Sequence, residues 1–127
     1  MSTIRTNTLL HSDGSTTTEP SIPALDKRMA KAWVNFDMST PSSINKSHNV
    51  SSLTDNGVGD FYVNFSNNMT DTNYAHFADA YDVNQNASLI IAHTSSIKNV
   101  GSAIIYAQNT GGDPRDADGV SYLVFSS

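Results

Sequence analysis

Cysteine is absent from the 127 residues, so neither a disulfide nor a thiolate metal site can hold this fold. Long apolar runs are missing as well. No stretch of eighteen consecutive apolar residues occurs, and the start, M-S-T-I-R-T-N-T-L-L-H, has no apolar segment of signal-peptide length. Neither membrane insertion nor export is therefore expected, and synthesis in the cytoplasm is. Positive charge is scarce: residues 32–127 carry three basic against nine acidic side chains. No basic patch remains to neutralise phosphates, which argues against a nucleic-acid partner. The usual residues of a helix's solvent face are scarce too, with four Lys and one Glu in the whole chain.

What takes their place is Ser, Thr and Asn, together 43 of the 127 residues. Short polar side chains cost little rotamer entropy to order, and they suit exposed sheet faces and turns. The composition thus predicts an all-β protein that is soluble through uncharged polar groups. The length allows one core of moderate size and is too short for two comfortable domains. Stability has to come from burial and strand pairing, including pairing with other copies.

The chain is organised around residues 29–65. Ala32, Val34 and Phe36 alternate with Trp33 and Asn35, and Phe61, Val63 and Phe65 alternate with Tyr62 and Asn64. This is the period of two expected of half-buried strands. Asp55-Asn56-Gly57 and Gly59-Asp60 tolerate positive φ, so the chain can reverse after Leu53 and form a β-hairpin. Strands are expected over 30–36, 44–53, 61–65, 74–81, 87–93, 100–107 and 120–125, with Pro41 in a connection because proline cannot donate to a ladder. Over 74–81 the alternation is less clean and a helix stays open, though Tyr and Phe favour a pleated surface.

The residue order A-K-A-W-V-N-F, then N-V-S-S-L-T-D-N-G, G-D-F-Y-V-N-F and M-T-D-T-N-Y-A, resembles a module found among tailed-bacteriophage fibre and other virion proteins. The likeness runs from about Lys31 to Ala75, and it carries no catalytic signature. It implies a structural part of a virion, made in the host cytoplasm and released by lysis, and it implies a homotrimer. Trp33, as part of the motif, is expected to be packed.

Residues 1–28 have a different composition. Pro20, Pro23 and a polar tract leave too few large apolar groups for a core. Two outcomes are open: a disordered tail, as is common for termini, or an extended arm in which Ile4, Leu9, Leu10, Ile22 and Leu25 act as single anchors on a neighbouring surface. The resemblance implies the second, with the arm as the attachment end that binds other virion proteins. Residues 25–31 are compatible with a short helix, with Leu25 and Met29 on one face. The division is then an arm over 1–28 and a sandwich domain over 29–127.

In the last third both faces of the expected strands are apolar. Val120, Tyr122 and Val124 oppose Leu123 and Phe125; Leu89 and Ile91 oppose Ile90; Ile104 and Tyr106 oppose Ile105. A sandwich covers one face of each sheet, and each large side chain left in water forfeits about 1.5–3 kcal/mol of burial. A subunit interface through Leu89, Ile91, Ile104, Tyr106, Tyr122 and Val124 is therefore expected. The alternative is that loops or the amino-terminal arm bury both faces within one monomer.

Signs of chemistry are sparse. No G-x-S-x-G elbow is present, and His11, His48, His76 and His93 are scattered without H-x-x-x-H spacing. Catalytic, cofactor and metal residues are accordingly set at none. Asp113, Asp116 and Asp118 in the loop 111–119 supply hard oxygen ligands, but the bidentate Glu that ends a calcium loop is missing and Arg115 can neutralise the cluster. Whether the loop takes a cation stays open, as it does for Asp55, Asn56 and Asp60. Tyr62, Tyr74, Tyr81 and Tyr106, with Asn67, Asn68 and Asn73 nearby, could stack on and bind a host surface glycan, although core packing explains the same rings.

The fold expected is a single antiparallel β-sandwich, jelly-roll-like, of about seven strands, trimeric by resemblance. The function expected is a non-enzymatic virion protein: a short fibre or tail-associated adhesion protein first, a capsid decoration protein second, and a free carbohydrate-binding module as the remote alternative.

Overall fold

The computed structural model describes residues 2–3, 5–8, 10, 12–15, 25, 27–83, 90–92 and 98–126. The elements among them are eight strands: β1 (Ala32–Asp37), β2 (Ser43–His48), β3 (Val50–Asp55), β4 (Asp60–Phe65), β5 (Ala75–Tyr81), β6 (Ile90–Ala92), β7 (Ser102–Gln108) and β8 (Gly119–Phe125). They form two antiparallel sheets, ordered β2-β1-β8-β5 and β3-β4-β7-β6. Both sheets have strands far apart in sequence at their middle: β1 pairs with β8 in the first, β4 with β7 in the second.

The alternation that predicted strands also fills the core. Ala32, Val34, Phe36, Val120, Tyr122 and Val124 of the first sheet face Phe61, Val63, Phe65, Ala103, Ile105 and Ala107 of the second, and all are buried. Phe36 and Phe61 meet across the gap with ring centroids 6.0 Å apart. Tyr74 is 2% exposed; its hydroxyl donates to the carbonyls of Asn99 at 3.1 Å and Ser102 at 3.3 Å. Lys98 Nζ lies 5.4 Å from the centre of the same ring and donates to the Tyr74 carbonyl at 3.1 Å.

The hairpin turn forms where it was expected. Asp55 Oδ1 accepts from the Gly57 amide at 2.8 Å, and Gly57 and Gly59 take φ of 124° and 72°. At Gly59 the requirement is steric as well: a Cβ there would run into the Ala107 carbonyl and sit 2.9 Å from the Arg115 amide nitrogen. The Gly59 carbonyl accepts from the Ala107 amide at 2.7 Å, so the turn is sewn directly to β7.

The segment 44–53, expected as one strand, is two. Asn49 adopts φ of 53°, and the chain leaves one sheet as β2 and enters the other as β3. Its side chain fixes the crossover. Nδ2 donates to the carbonyls of Lys31 at 3.0 Å and Asn67 at 3.1 Å, and Oδ1 accepts from the Asn67 amide at 2.7 Å. Asparagine tolerates the left-handed region because its short amide can bond to nearby backbone. A pattern reading sees only an unbroken polar-apolar run there, which is why eight strands stand where about seven were expected.

Candidate functional site

One face of the first sheet is turned away from the core. Along β5 it carries Phe77, Asp79 and Tyr81; along β8, Ser121, Leu123 and Phe125; along β1, Trp33 and Asn35. Strand register places Phe77, Leu123 and Trp33 in a single row across three strands, with His48 of β2 at its end. Phe77 is 62% exposed, Trp33 and Leu123 37% each, and Tyr81 57%. Phe125 packs edge-on to Phe77, with ring centroids 6.3 Å apart at 80°. The Tyr81 ring lies over Gly119, its cross-strand partner, so closely that any Cβ at 119 would collide with it.

The neighbouring row is polar and largely self-satisfied. Asp79, Ser121, Asn35 and Lys46 follow one another from β5 to β2. Asn35 Nδ2 donates to Ser121 Oγ at 3.2 Å and to the Val120 carbonyl at 3.3 Å, and Asn35 Oδ1 accepts from Asn45 Nδ2 at 3.0 Å. Only the two ends are charged, and both are exposed.

The side chains expected at an interface fall into three groups. Tyr122 and Val124, 1% and 0% exposed, are core residues of one chain and leave no surface for a partner. The outward face of β8 belongs instead to Leu123 and Phe125. The clue lies in the sequence: Ser121 interrupts the Leu123 face, whereas Val120, Tyr122 and Val124 form an unbroken apolar set. Ile104 and Tyr106 do face outward, half-buried, on the second sheet. Ile91 lies in β6, of which the strand and its pairing with Ala107 are described, and Leu89 lies outside the described residues. The expectation of a packed Trp33 is also corrected, because β1 directs it outward and its core-facing neighbours are Ala32 and Val34.

Of the five residues assigned to the amino-terminal arm, Ile4, Leu9 and Ile22 lie outside the described residues. Leu10 and Leu25 are each 43% exposed. The Leu25 carbonyl accepts from the amides of Arg28 at 2.7 Å and Met29 at 3.1 Å, a single turn that ends before β1.

The loop 111–119 sends its aspartates to three different places. Asp116 Oδ1 accepts from the Gly59 amide at 2.7 Å, Asp118 Oδ2 from the Val83 amide at 2.7 Å, and Asp113 Oδ2 from Asn109 Nδ2 at 3.1 Å. These carboxylates tie the loop to the hairpin turn and to the end of β5. Among the described residues no group of three or more His, Asp or Glu is arranged to hold a metal.

The tyrosines considered for sugar stacking are not brought together. Tyr74 is in the core, Tyr81 is on the outer face of the first sheet, and Tyr62 and Tyr106 are on the outer face of the second. His76 points inward, its Nδ1 3.2 Å from the Tyr122 hydroxyl, in a chain of edge-on rings running Phe65, Tyr74, His76, Tyr122. His48 sits at the end of β2, and His11 and His93 lie outside the described residues.

Fold and site together define a two-sheet antiparallel β-sandwich whose first sheet carries an exposed apolar row, Phe77, Leu123 and Trp33, on its outer face. No family model matches the chain, and neither a curated protein nor a solved structure was found to be similar to it.

Proposed function

We propose that the chain is a non-enzymatic structural protein of a bacteriophage virion, a short trimeric fibre or tail-associated adhesion protein held by its amino-terminal arm. The observation that carries this reading is the exposed apolar row Phe77, Leu123 and Trp33 on a small sandwich. Such a face is costly in a solitary protein and useful in an assembly. The likeness of residues 31–75 to a virion module supplies the setting, and three of the strands that bear it, β1, β3 and β4, are structural members of the sandwich.

The test is the protein content of purified particles. The chain is expected to co-purify with virions, at low copy number relative to the major capsid protein and visible at the tail by antibody labelling. Near-stoichiometric copy number with labelling over the head would instead make it a capsid decoration protein. Its absence from particles, together with binding on a glycan array, would identify a free carbohydrate-binding module and overturn the reading.

A further inference from the structure

The outer face of the β2-β1-β8-β5 sheet differs at its two edges in a way that suits it to another copy of itself. Asp79 stands on edge strand β5 and Lys46 on edge strand β2, in one row with Ser121 and Asn35 between them. Three strand spacings separate the two charges by about 14 Å, beyond the screening length of about 8 Å at physiological salt. Within one chain they scarcely feel each other. The same face carries Asp37 at the end of β1, but its carboxylate is turned to the Ser39 amide at 2.6 Å.

We infer that this face is the self-association surface, with the Asp79 edge of one copy meeting the Lys46 edge of the next and the row Phe77, Leu123 and Trp33 buried between copies. The occupant follows from charge complementarity. A partner must offer a cation opposite Asp79, an anion opposite Lys46 and an apolar strip alongside, and this chain's own face offers all three at the matching spacing. An edge-to-edge contact of this kind is head-to-tail, and it closes into a ring when the faces turn toward a common axis and the rotation between copies is a whole fraction of a turn. The inference rests on the assembly reading above and names the surface that serves it.

Charge reversal in the full chain provides the test. Light scattering of the purified protein at micromolar concentration is expected to give a mass of more than one chain. Lys46→Glu and Asp79→Lys, both at exposed positions, are each expected to shift the population toward monomer. The double variant, in which the charges are exchanged, is expected to restore the assembly. Trp33, the single tryptophan of the chain, supplies a second readout. Its emission should be blue-shifted and shielded from acrylamide in the assembly, and red-shifted in either single variant, with unchanged far-ultraviolet circular dichroism. A monomeric wild type, or single variants that assemble like the wild type, overturns the inference. Particle incorporation is measured separately, so a virion protein that assembles through another surface remains distinguishable from one that is no virion protein. A two-chain assembly sensitive to both reversals supports the surface while contradicting the trimer.

Discussion

Asn49 combines an unusual backbone conformation with three side-chain hydrogen bonds at the crossover between the sheets. It holds a left-handed φ of 53° and joins β2 to β3 across the two sheets while its amide ties down Lys31 and Asn67. Asn49→Ala loses those hydrogen bonds and adds the left-handed penalty, so a destabilisation of about 2–4 kcal/mol is expected. Asn49→Gly recovers only the backbone part, about 1 kcal/mol. Urea unfolding of the three proteins measures the order, and equal stability of the Ala and Gly variants would exclude backbone strain as a component. No sequence pattern marks this asparagine among its twelve fellows, because what distinguishes it is the pair of carbonyls that the fold brings within reach.

At the scale of the strand, β8 separates burial from exposure residue by residue. Val124 is fully buried and Leu123 is not, though they are adjacent and similarly apolar. Val124→Ala is expected to cost about 2 kcal/mol of folding stability through the cavity it leaves. Leu123→Ala is expected to cost under about 1 kcal/mol in the unassociated chain. Denaturant melts at concentrations low enough to keep the chain monomeric check this; a larger loss from Leu123→Ala would place the wrong face inside. The period of two was legible in the sequence for β1 and β4, whereas over β5 the alternation was less clean and a helix stayed open, and β7 and β8 read as apolar on both faces. Which of two apolar faces turns inward in β8 is marked in the sequence by Ser121 alone, since period by itself is indifferent to a flip. Pairing with β1 settles it, because Tyr122 stands opposite Val34 and Leu123 opposite Trp33.

For the whole molecule, two tyrosines link stability to alkaline pH. Burial pushes the Tyr74 phenol up to about 12. Burial, with the nearby Tyr74 charge adding to it, pushes Tyr122 up further still. Both folded-state values lie above the ordinary value of about 10 of an unfolded chain. The native state therefore keeps protons that the unfolded state releases. Their contribution is fully present below about pH 10 and is lost as pH rises from there through the folded values. Urea midpoints measured from pH 8 to about 12 should stay level with respect to these groups and then fall. The Tyr74→Phe and Tyr122→Phe variants should each fall less steeply over the same range. A Tyr122→Phe profile as steep as that of the wild type would contradict the burial of that phenol.

Taken alone, the amino-acid order determined that this is an all-β chain, where most of its strands run, and that its hairpin turns between Asp55 and Asp60. Those properties depend on alternation, short polar side chains and glycines, all local to a few residues. Only the tertiary structure decided that Asn49 divides one expected strand into two sheets. It likewise decided that the aspartates of 111–119 act as struts, and that Trp33, Phe77 and Leu123 share one row. Each of these joins residues from distant parts of the chain, and strand pairing, which creates such neighbours, leaves no mark in the local spacing of residues.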